Sequence, residues 1–280
     1  FDLERGPLAA ACLLRLAEDD HVLTVTVHHI LADGASLAIL DRELAAFYRA
    51  FVDGTDPDLP PLPIHFGDFA VWYATTPQPQ QAEDLEFWVD TLAGVPPLEL
   101  RTDHPRPPRK GAPAADVRHL VAGDLAERTA ELAQARRSSR FMVLLAALQV
   151  LLSRRSGQTD FCVGLPVAGT WRTRPELAPV VGLFNTMLPV RRDVVGDPTF
   201  AEHLAGTRDA LLDALDHQDV AFSRLTAALG IPHDPGRIQL CQALFDFDEH
   251  YEDSELDLPG VRVEAAFRSE ERRVGKECRS

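Results

Sequence analysis

The sequence predicts a protein of mixed α/β class, arranged as two lobes that a proline-rich crossover joins. Stretches in which apolar residues recur at every second position alternate with stretches of helical periodicity, as strands and helices require. Residues 94–113 are rich in proline and lack periodicity, which favours a linker. With 280 residues, the chain is long enough for two lobes. We assign residues 1–93 to the first lobe and 114–267 to the second.

The first lobe begins with a predicted β-hairpin of strands Leu8–Ala17 and His21–His28. The second strand alternates apolar and threonine residues, and extending the alternation puts His29 on its apolar face. We therefore expect a partly desolvated imidazole at the edge of the sheet. A helix follows from Ser36 to about Val52, and Gly54 ends it.

The remaining elements follow from the same periodicities. A short aromatic helix is predicted within residues 56–81, and a further helix from Glu83 to Ala93. The second lobe is predicted to contain helices at 124–137, 140–156, 199–217 and 221–230, and strands at 160–169, 181–191 and 238–249.

Composition excludes several classes of function. The net charge of −15 argues against nucleic-acid binding, and no apolar run approaches the length of a membrane span. The four cysteines form no CxxC pair, so we expect reduced thiols in a cytoplasmic protein, three of them buried, and no metal site. Residues 268–280 lack periodicity and resemble a translated sequencing adapter, so we leave them out of the fold prediction.

The stretch VHHILADGAS, residues 27–36, carries the chemistry. A histidine near neutrality, here His29, can accept a proton from a nucleophile, while Asp33 can hold the following turn and Gly34 lets a substrate approach the backbone. The motif has no serine or cysteine beside His29, which favours direct acyl transfer to a substrate amine or hydroxyl. A core histidine followed by an ordinary Asp-Gly turn is the alternative that these residues leave open.

The motif resembles the HHxxxDG signature of condensation domains from nonribosomal peptide synthetases, which belong to the chloramphenicol acetyltransferase-like superfamily. Further stretches resemble that family's motifs in the family's order. They are FDLERGPL, HFGDFAVWY, EFWVDTLAG, LRTDHPRPP, SGQTDFCVGLPVAG, VGLFNTMLPVR, HQDVAFSRL and IQLCQALFDFDE. The resemblance covers residues 1 to about 264.

The resemblance implies two chloramphenicol-acetyltransferase-like lobes around a tunnel, with the first lobe incomplete because two family motifs are expected before Phe1. It implies peptide-bond formation between a thioester on a donor peptidyl carrier protein and an aminoacyl thioester on an acceptor peptidyl carrier protein. The domain itself is expected to bind no cofactor, since the phosphopantetheine arms belong to the carriers. A neighbouring adenylation domain is a further expected partner, whereas nucleic acid and membrane are not.

Position by position, the resemblance implies that His29 promotes attack by the amine. Asp33 is implied to be mainly structural, and Gly34 to line the tunnel near the reacting carbons. His28 is implied to contact substrate.

The sequence also departs from the family pattern. Ala35 stands where a bulky residue is usual, which alters the acceptor side of the expected tunnel. The pair Asn185 and Thr186 lies one residue nearer the preceding glycine than is common, so Thr186 is expected to face the tunnel in place of Asn185. Both remain candidates for substrate binding. Arg172 is a candidate ion-pair partner of Asp33, displaced from its usual position, although a surface arginine is an equally good interpretation.

Two other functions remain open at this stage. One is a stand-alone, ester-forming acyltransferase of the same superfamily, and the other is a catalytically silent docking domain. Epimerisation domains share the histidine motif but are expected to differ in later motifs, and cyclisation domains replace it with a DxxxxD pattern that this segment lacks.

Overall fold

The computed structural model describes residues 1–76, 79–109, 111, 115, 117, 119, 121, 123–247 and 256–264. The chain divides into two compact units. The first comprises Phe1–Pro77, Ala168–Asn185 and His250–Ala265, and the second comprises Gln78–Val167, Thr186–Glu249 and Ala266–Ser280. The predicted crossover, of which residues 110, 112 and 113 fall outside the description, lies in the second unit, where Leu98 is buried in the core. The adapter-like tail at 268–280 also falls outside it.

The first unit begins with the predicted hairpin. Strands β1 (Ala9–Arg15) and β2 (His21–Val27) pair antiparallel, with Ala9 opposite Val27 and Arg15 opposite His21. Their residues are exposed on both faces, and only Val27 is partly buried. The hairpin is therefore confirmed, and the part of the chain that the structure describes covers neither of its faces.

Helix α1 (Gly34–Asp53) follows, and it begins two residues earlier than predicted. Asp33 is its N-cap: the carboxylate accepts a hydrogen bond from the Ser36 backbone N–H, which satisfies a donor that the first turn leaves unpaired. Gly54 ends the helix with a φ of 67°, a left-handed conformation that glycine adopts without steric cost.

An aromatic cluster forms the core of the first unit. Helix α2 (Phe66–Thr75) supplies Phe69, and a short 3-10 helix (Thr170–Thr173) supplies Trp171. Their rings pack against Phe184, at centroid distances of 4.9 Å for Phe69 and Phe184 and 5.4 Å for Phe69 and Trp171. The cluster brings the Val180–Phe184 segment close to residues far away in sequence.

The second unit packs helices against a three-stranded sheet. Its elements are α3 (Pro79–Leu92), α4 (Gly123–Ala135), α5 (Arg140–Ser156), β3 (Asp160–Val167), β4 (Thr186–Asp193), α6 (Phe200–Asp216), α7 (Phe222–Ala228) and β5 (Ala243–Leu244). Strand β3 is central, antiparallel to β4 and parallel to β5. Its residues 161–165 are buried on both faces, as its uninterrupted apolar run predicts.

Two predicted strands are shorter in the structure. Strand β4 begins at Thr186 instead of residue 181, because backbone groups of Gly182 and Phe184 bond to side chains of the first unit. Strand β5 has two residues because the chain turns just before it. There Leu240 has a φ of 62°, and the Cys241 N–H donates to the Gln239 carbonyl at 2.7 Å.

Two of the three buried cysteines that the sequence predicts are found among the described residues. Cys162 and Cys241 are buried, Cys12 is exposed, and Cys278 falls outside the described residues. Burial raises the pKa of the Cys241 thiol to about 12, so this side chain is a core thiol with little thiolate character. Among the described helices, none has the length and apolar character needed to cross a bilayer.

Candidate active site around the paired histidines

The paired histidines lie in a tight turn directly after β2. The His28 N–H donates to the Leu8 carbonyl at 2.8 Å, which extends the hairpin by one bond. The carbonyls of His28 and His29 then accept the N–H groups of Leu31 and Ala32, at 2.9 and 3.3 Å. Because β2 ends at Val27, the strand alternation does not reach His29. His29 is an exposed residue, although the contact that its ring makes with the Ala32 carbonyl is partly buried.

A backbone carbonyl holds the His29 ring. Its Nδ1 lies 2.7 Å from the Ala32 carbonyl oxygen. A carbonyl oxygen only accepts hydrogen bonds, so Nδ1 carries the proton and donates it. In the neutral ring the lone pair then resides on Nε2. The local backbone therefore selects the tautomer in which His29 can take up a proton at Nε2.

The His28 ring has the opposite hydrogen-bonding arrangement. The Ile30 backbone N–H donates to His28 Nδ1 at 3.1 Å, so Nδ1 holds the lone pair and Nε2 the proton in the neutral ring. The Phe1 ring packs edge-to-face with the imidazole of the partly buried His28, with ring centroids 5.4 Å apart. The two adjacent histidines thus offer an acceptor and a donor from one turn.

The Asp33 carboxylate is buried and fully hydrogen bonded. Oδ1 accepts from the Ser36 N–H at 2.9 Å, the Ser36 hydroxyl at 2.8 Å and Arg172 Nη2 at 2.7 Å. Oδ2 accepts from the Phe184 N–H at 3.0 Å. The side chain is completely shielded from solvent, so these partners replace its hydration shell. Asp33 therefore joins the start of α1 to the Phe184 segment.

The pKa of Asp33 reflects two opposing causes. Burial acts to raise the pKa, because it penalises the charged form. The hydrogen bonds from Ser36, from the Phe184 N–H and from Arg172 stabilise the carboxylate and outweigh burial. The pKa of Asp33 is consequently lowered from its ordinary value, and the group is an anion at neutral pH.

Arg172 is the partner that the sequence suggested as a candidate. Its side chain is 9% exposed, and besides Asp33 it bonds the Val180 carbonyl through Nη1 at 2.6 Å. Its guanidinium carbon lies 4.3 Å from the centroid of the Phe184 ring, a cation–π geometry. Arg172 lies 139 residues after Asp33 in the sequence, so this ion pair joins two segments that are distant along the chain.

The other candidate residues occupy different places. Gly34 and Ala35 are exposed at the start of α1, and a Cβ on Gly34 would meet no described atom within 4 Å. Asn185 is partly buried and follows Phe184 at the end of the first unit. Thr186 begins β4 in the second unit, where its hydroxyl donates to the Val220 carbonyl at 3.4 Å.

Sequence reasoning missed Ser36 and Gly182. Ser36 is fully buried, and its hydroxyl contacts Asp33, Arg172 and both backbone groups of Gly182. A local signal existed for Ser36, since a helix-capping aspartate three residues earlier bonds to this position. Gly182 lies 146 residues after Ser36 in the sequence, so no local sequence pattern predicts that the two are in contact.

Among the described residues, no group of three or more histidine, cysteine, aspartate or glutamate side chains could hold a metal ion. The site consists of one exposed imidazole of defined tautomer beside a buried, charge-paired support. This arrangement suits proton transfer to or from a bound nucleophile.

Comparison with known proteins assigns the chain to a family. The family model for the condensation domain matches residues 1–272, which reach into the start of the adapter-like tail. The chain belongs to the condensation domain family. The mixed helix and sheet class that the sequence predicts is confirmed by this match and by the solved structures below.

The curated relatives are nonribosomal peptide synthetases and related synthetases. The chain is 40% identical over 247 residues to tyrocidine synthase 2 of Brevibacillus parabrevis, covering 88% of this chain and 7% of that protein. It is 37% identical over 265 residues to malpinin synthetase of Mortierella alpina, covering 94% of this chain and 3% of that protein. The chain thus spans a small part of these relatives.

Solved structures share the fold. The X-domain from teicoplanin biosynthesis aligns with a TM-score of 0.85 at 30% identity, covering 95% of this chain and 62% of that chain. The condensation domain from Monacolin K polyketide synthase aligns with a TM-score of 0.72 at 24% identity, covering 92% and 60%. At 24% identity, the similarity to the Monacolin K synthase domain shows a shared fold and nothing about function.

Proposed function

We propose that this domain forms an amide bond between an acyl or peptidyl thioester on a donor carrier protein and an aminoacyl thioester on an acceptor carrier protein. The observation that carries the proposal is the exposed His29 ring, whose Nδ1–H is held by the Ala32 carbonyl and whose Nε2 holds the lone pair. The motif contains no side-chain nucleophile beside this ring, so the attacking nitrogen comes from the substrate.

The reaction balances with one proton in transit. The acceptor amine attacks the donor carbonyl carbon, a C–N bond forms, and the C–S bond of the thioester breaks. His29 Nε2 takes a proton from the attacking nitrogen and returns it to the departing thiolate. General-base assistance of this kind contributes about 10²–10⁴ in rate, and positioning of the two arms adds to it.

The other residues support this chemistry. In the neutral ring His28 Nε2 is a fixed N–H donor, suited to a substrate carbonyl. Asn185 and Thr186 remain predicted substrate contacts. Asp33 and Arg172 hold the start of α1 and the Phe184 segment together. The phosphopantetheine arms arrive with the carriers as substrates, and an adenylation domain in the same cytoplasmic synthetase would load the acceptor.

Reconstitution tests the proposal. The enzyme that contains this chain is mixed with a donor carrier bearing an acyl thioester and an acceptor carrier bearing an aminoacyl thioester. We expect the intact mass of the acceptor carrier to increase by the donor group. A hydroxyacyl acceptor carrier and a free alcohol are the matched controls. Acyl transfer to the free alcohol, with none to the carrier-bound amine, would instead identify an ester-forming acyltransferase.

A docking function is the second candidate, because two solved X-domain structures resemble this chain. One of them is a complex of the X-domain and OxyB from teicoplanin biosynthesis, which aligns with a TM-score of 0.80 at 31% identity, covering 87% of this chain and 55% of that chain. A docking domain would bind a partner enzyme and leave both carriers unchanged in the reconstitution. Transfer that depends on His29 rejects this candidate.

A further inference from the structure

One peptide group connects the catalytic imidazole to the buried network. The carbonyl of the Ala32–Asp33 peptide accepts from His29 Nδ1 at 2.7 Å, and the N–H of the same peptide donates to the Gly182 carbonyl at 3.3 Å. A peptide group is planar and rigid, so its two ends cannot reorient independently. The orientation of the carbonyl that holds His29 therefore depends on the position of Gly182.

Two side chains lie within hydrogen-bonding distance of the Gly182 carbonyl. It lies 2.9 Å from the Ser36 hydroxyl and 3.2 Å from Arg172 Nη2. The Gly182 N–H also donates to the Ser36 oxygen at 3.0 Å. The Ser36 hydroxyl thus lies within hydrogen-bonding distance of both backbone groups of Gly182, and Ser36 is 0% exposed.

The hydrogen bonds of the Ser36 hydroxyl are saturated. Its oxygen accepts from the Gly182 N–H at 3.0 Å and from Arg172 Nη2 at 2.7 Å, and a hydroxyl has two acceptor positions. Its one proton goes either to Asp33 Oδ1 at 2.8 Å or to the Gly182 carbonyl at 2.9 Å. Removing the hydroxyl would leave a buried N–H and a buried guanidinium short of an acceptor.

We infer that Ser36 is a positioning residue for the condensation reaction: its hydroxyl fixes Gly182, which fixes the Ala32–Asp33 peptide, which holds His29 with its proton on Nδ1. The inference rests on the proposed function for its catalytic consequence, and on geometry alone for its effect on the tautomer. Hydrogen bonds in such a chain polarise one another, so the loss of one weakens the next.

Gly182 cannot serve as the test position. A Cβ there would lie 2.0 Å from Cδ2 of Phe66, whose ring covers the glycine. Any side chain at this position would displace the aromatic cluster. The effect of that packing change on the protein could not then be separated from an effect on the orientation of the His29 ring. Ser36 is the better position, because Ser36→Ala removes one oxygen and leaves both charges of the Asp33–Arg172 pair in place.

The tautomers of His28 and His29 give a direct measurement. A two-bond proton–nitrogen correlation spectrum of the histidine rings distinguishes a protonated Nδ1 from a protonated Nε2. In the unchanged chain, the neutral His29 ring is expected to show the Nδ1–H form and the neutral His28 ring the Nε2–H form. We expect Ser36→Ala to shift part of the His29 population toward Nε2–H and to leave His28 unchanged, so His28 is an internal reference.

Further variants separate positioning from general damage. Ser36→Cys keeps the volume but bonds weakly, so it is expected to shift the His29 tautomer as alanine does, whereas Ser36→Thr keeps the hydroxyl and is expected to restore it. Thr207→Val is the matched control, because it removes another fully buried hydroxyl, bonded to Gln149 Oε1 at 2.8 Å in the second unit. We expect it to leave both tautomers unchanged.

The outcomes distinguish the inference from the proposed function. We expect Ser36→Ala to lower kcat for condensation about tenfold, a fraction of the 10²–10⁴ that proton transfer supplies, with KM for the acceptor carrier unchanged. An unchanged His29 tautomer in folded Ser36→Ala or Ser36→Cys would overturn the inference. A shifted tautomer with an unchanged condensation rate would uphold the positioning and contradict the proposed function.

Discussion

Two adjacent histidines in this chain have opposite hydrogen-bonding roles. His29 Nδ1 faces a carbonyl and must donate, while His28 Nδ1 faces an N–H and must accept. The sequence HH alone gives no reason for this difference. It arises because β2 ends at Val27, so both rings meet backbone groups of the following turn instead of opposite faces of a sheet.

A methyl group on Gly34 tests whether substrate occupies the space beside the motif. A Cβ there meets no described atom within 4 Å, and alanine is the better helix former by about 1 kcal/mol. We therefore expect Gly34→Ala to raise the free energy of unfolding slightly and to lower kcat/KM for condensation at least tenfold, since the methyl intrudes on the reacting arms. Urea unfolding and steady-state kinetics measure the two effects. An undiminished kcat/KM would show that no substrate approaches this glycine.

At the level of single residues, the sequence predicted the histidine motif and one part of its support, the pairing of Asp33 with Arg172. The spacing of His29, Asp33 and Gly34 was sufficient to identify the motif. The capping of α1 by Asp33 was predictable from its position before the helix. The bonds that Asp33 makes to Arg172 and to the Phe184 N–H cross more than 130 residues. The sequence named Arg172 as one candidate partner, whereas the bond to the Phe184 N–H is specified only by the folded chain.

At the level of secondary structure, the Asp33–Arg172 pair stabilises the start of α1. Replacing Asp33 with asparagine retains an oxygen acceptor but leaves the guanidinium, 9% exposed, without its counter-charge. We expect Asp33→Asn to lower the free energy of unfolding by about 3–5 kcal/mol, the range for a buried pair that loses one partner. Chemical denaturation followed by tryptophan fluorescence measures the change.

The Arg191–Asp160 pair provides the control for this effect. It joins β4 to β3 with a distance of 2.7 Å, but both side chains are 26% exposed. Solvent screens such a pair, so Asp160→Asn is expected to cost about 1 kcal/mol or less. Equal losses in the two variants would contradict the conclusion that burial makes the Asp33 pair important.

Helix α6 carries a histidine whose burial makes stability depend on pH. His203 is 1% exposed, and neither ring nitrogen has a hydrogen-bond partner among the described residues. Burial lowers the pKa of this imidazole, the positive charge of Arg192 lowers it further, and the Ala146 backbone opposes these effects only in part. The folded state therefore binds the proton more weakly than the unfolded state does.

The sign of the pH effect follows from this difference. The folded state keeps its full advantage above the pKa of a histidine in the unfolded chain, which is about 6.5. As the pH falls below that value, the free energy of unfolding decreases by at most about 1.4 kcal/mol per pH unit. We expect His203→Leu to flatten this part of the stability profile, measured by urea unfolding between pH 7.5 and about 5. The exposed His233→Leu is the control. An identical slope in the chain with and without His203 would refute the assignment.

Periodicity predicted most of the helices and strands but misjudged where strands β4 and β5 begin. The sequence predicts a strand at residues 181–185, yet the Ser36 hydroxyl lies within hydrogen-bonding distance of both backbone groups of Gly182, and Asp33 accepts from the Phe184 N–H. A segment whose backbone groups are already bonded cannot join a sheet ladder. Long-range hydrogen bonding of the backbone therefore overrides the strand that the sequence predicts at residues 181–185.

At the level of the whole molecule, net charge limits how carriers bind. The chain carries −15, so long-range attraction does not favour an acidic carrier protein. We expect carrier affinity to stay the same or weaken when ionic strength is lowered from about 0.15 to 0.01 M, a change that extends the Debye length from about 8 to 30 Å. Calorimetric titration measures this. Marked tightening at low salt would reveal a basic docking patch that the overall charge conceals.

The transfer step itself provides the most direct test of the account. A single-turnover measurement follows the donor group from one carrier to the other, with the unchanged enzyme and with His29→Ala, after both have been shown to bind the carriers equally. We expect the variant to transfer the group about 10²–10⁴ times more slowly, the contribution of a positioned proton acceptor. Equal single-turnover rates would contradict the claim that His29 promotes amide formation.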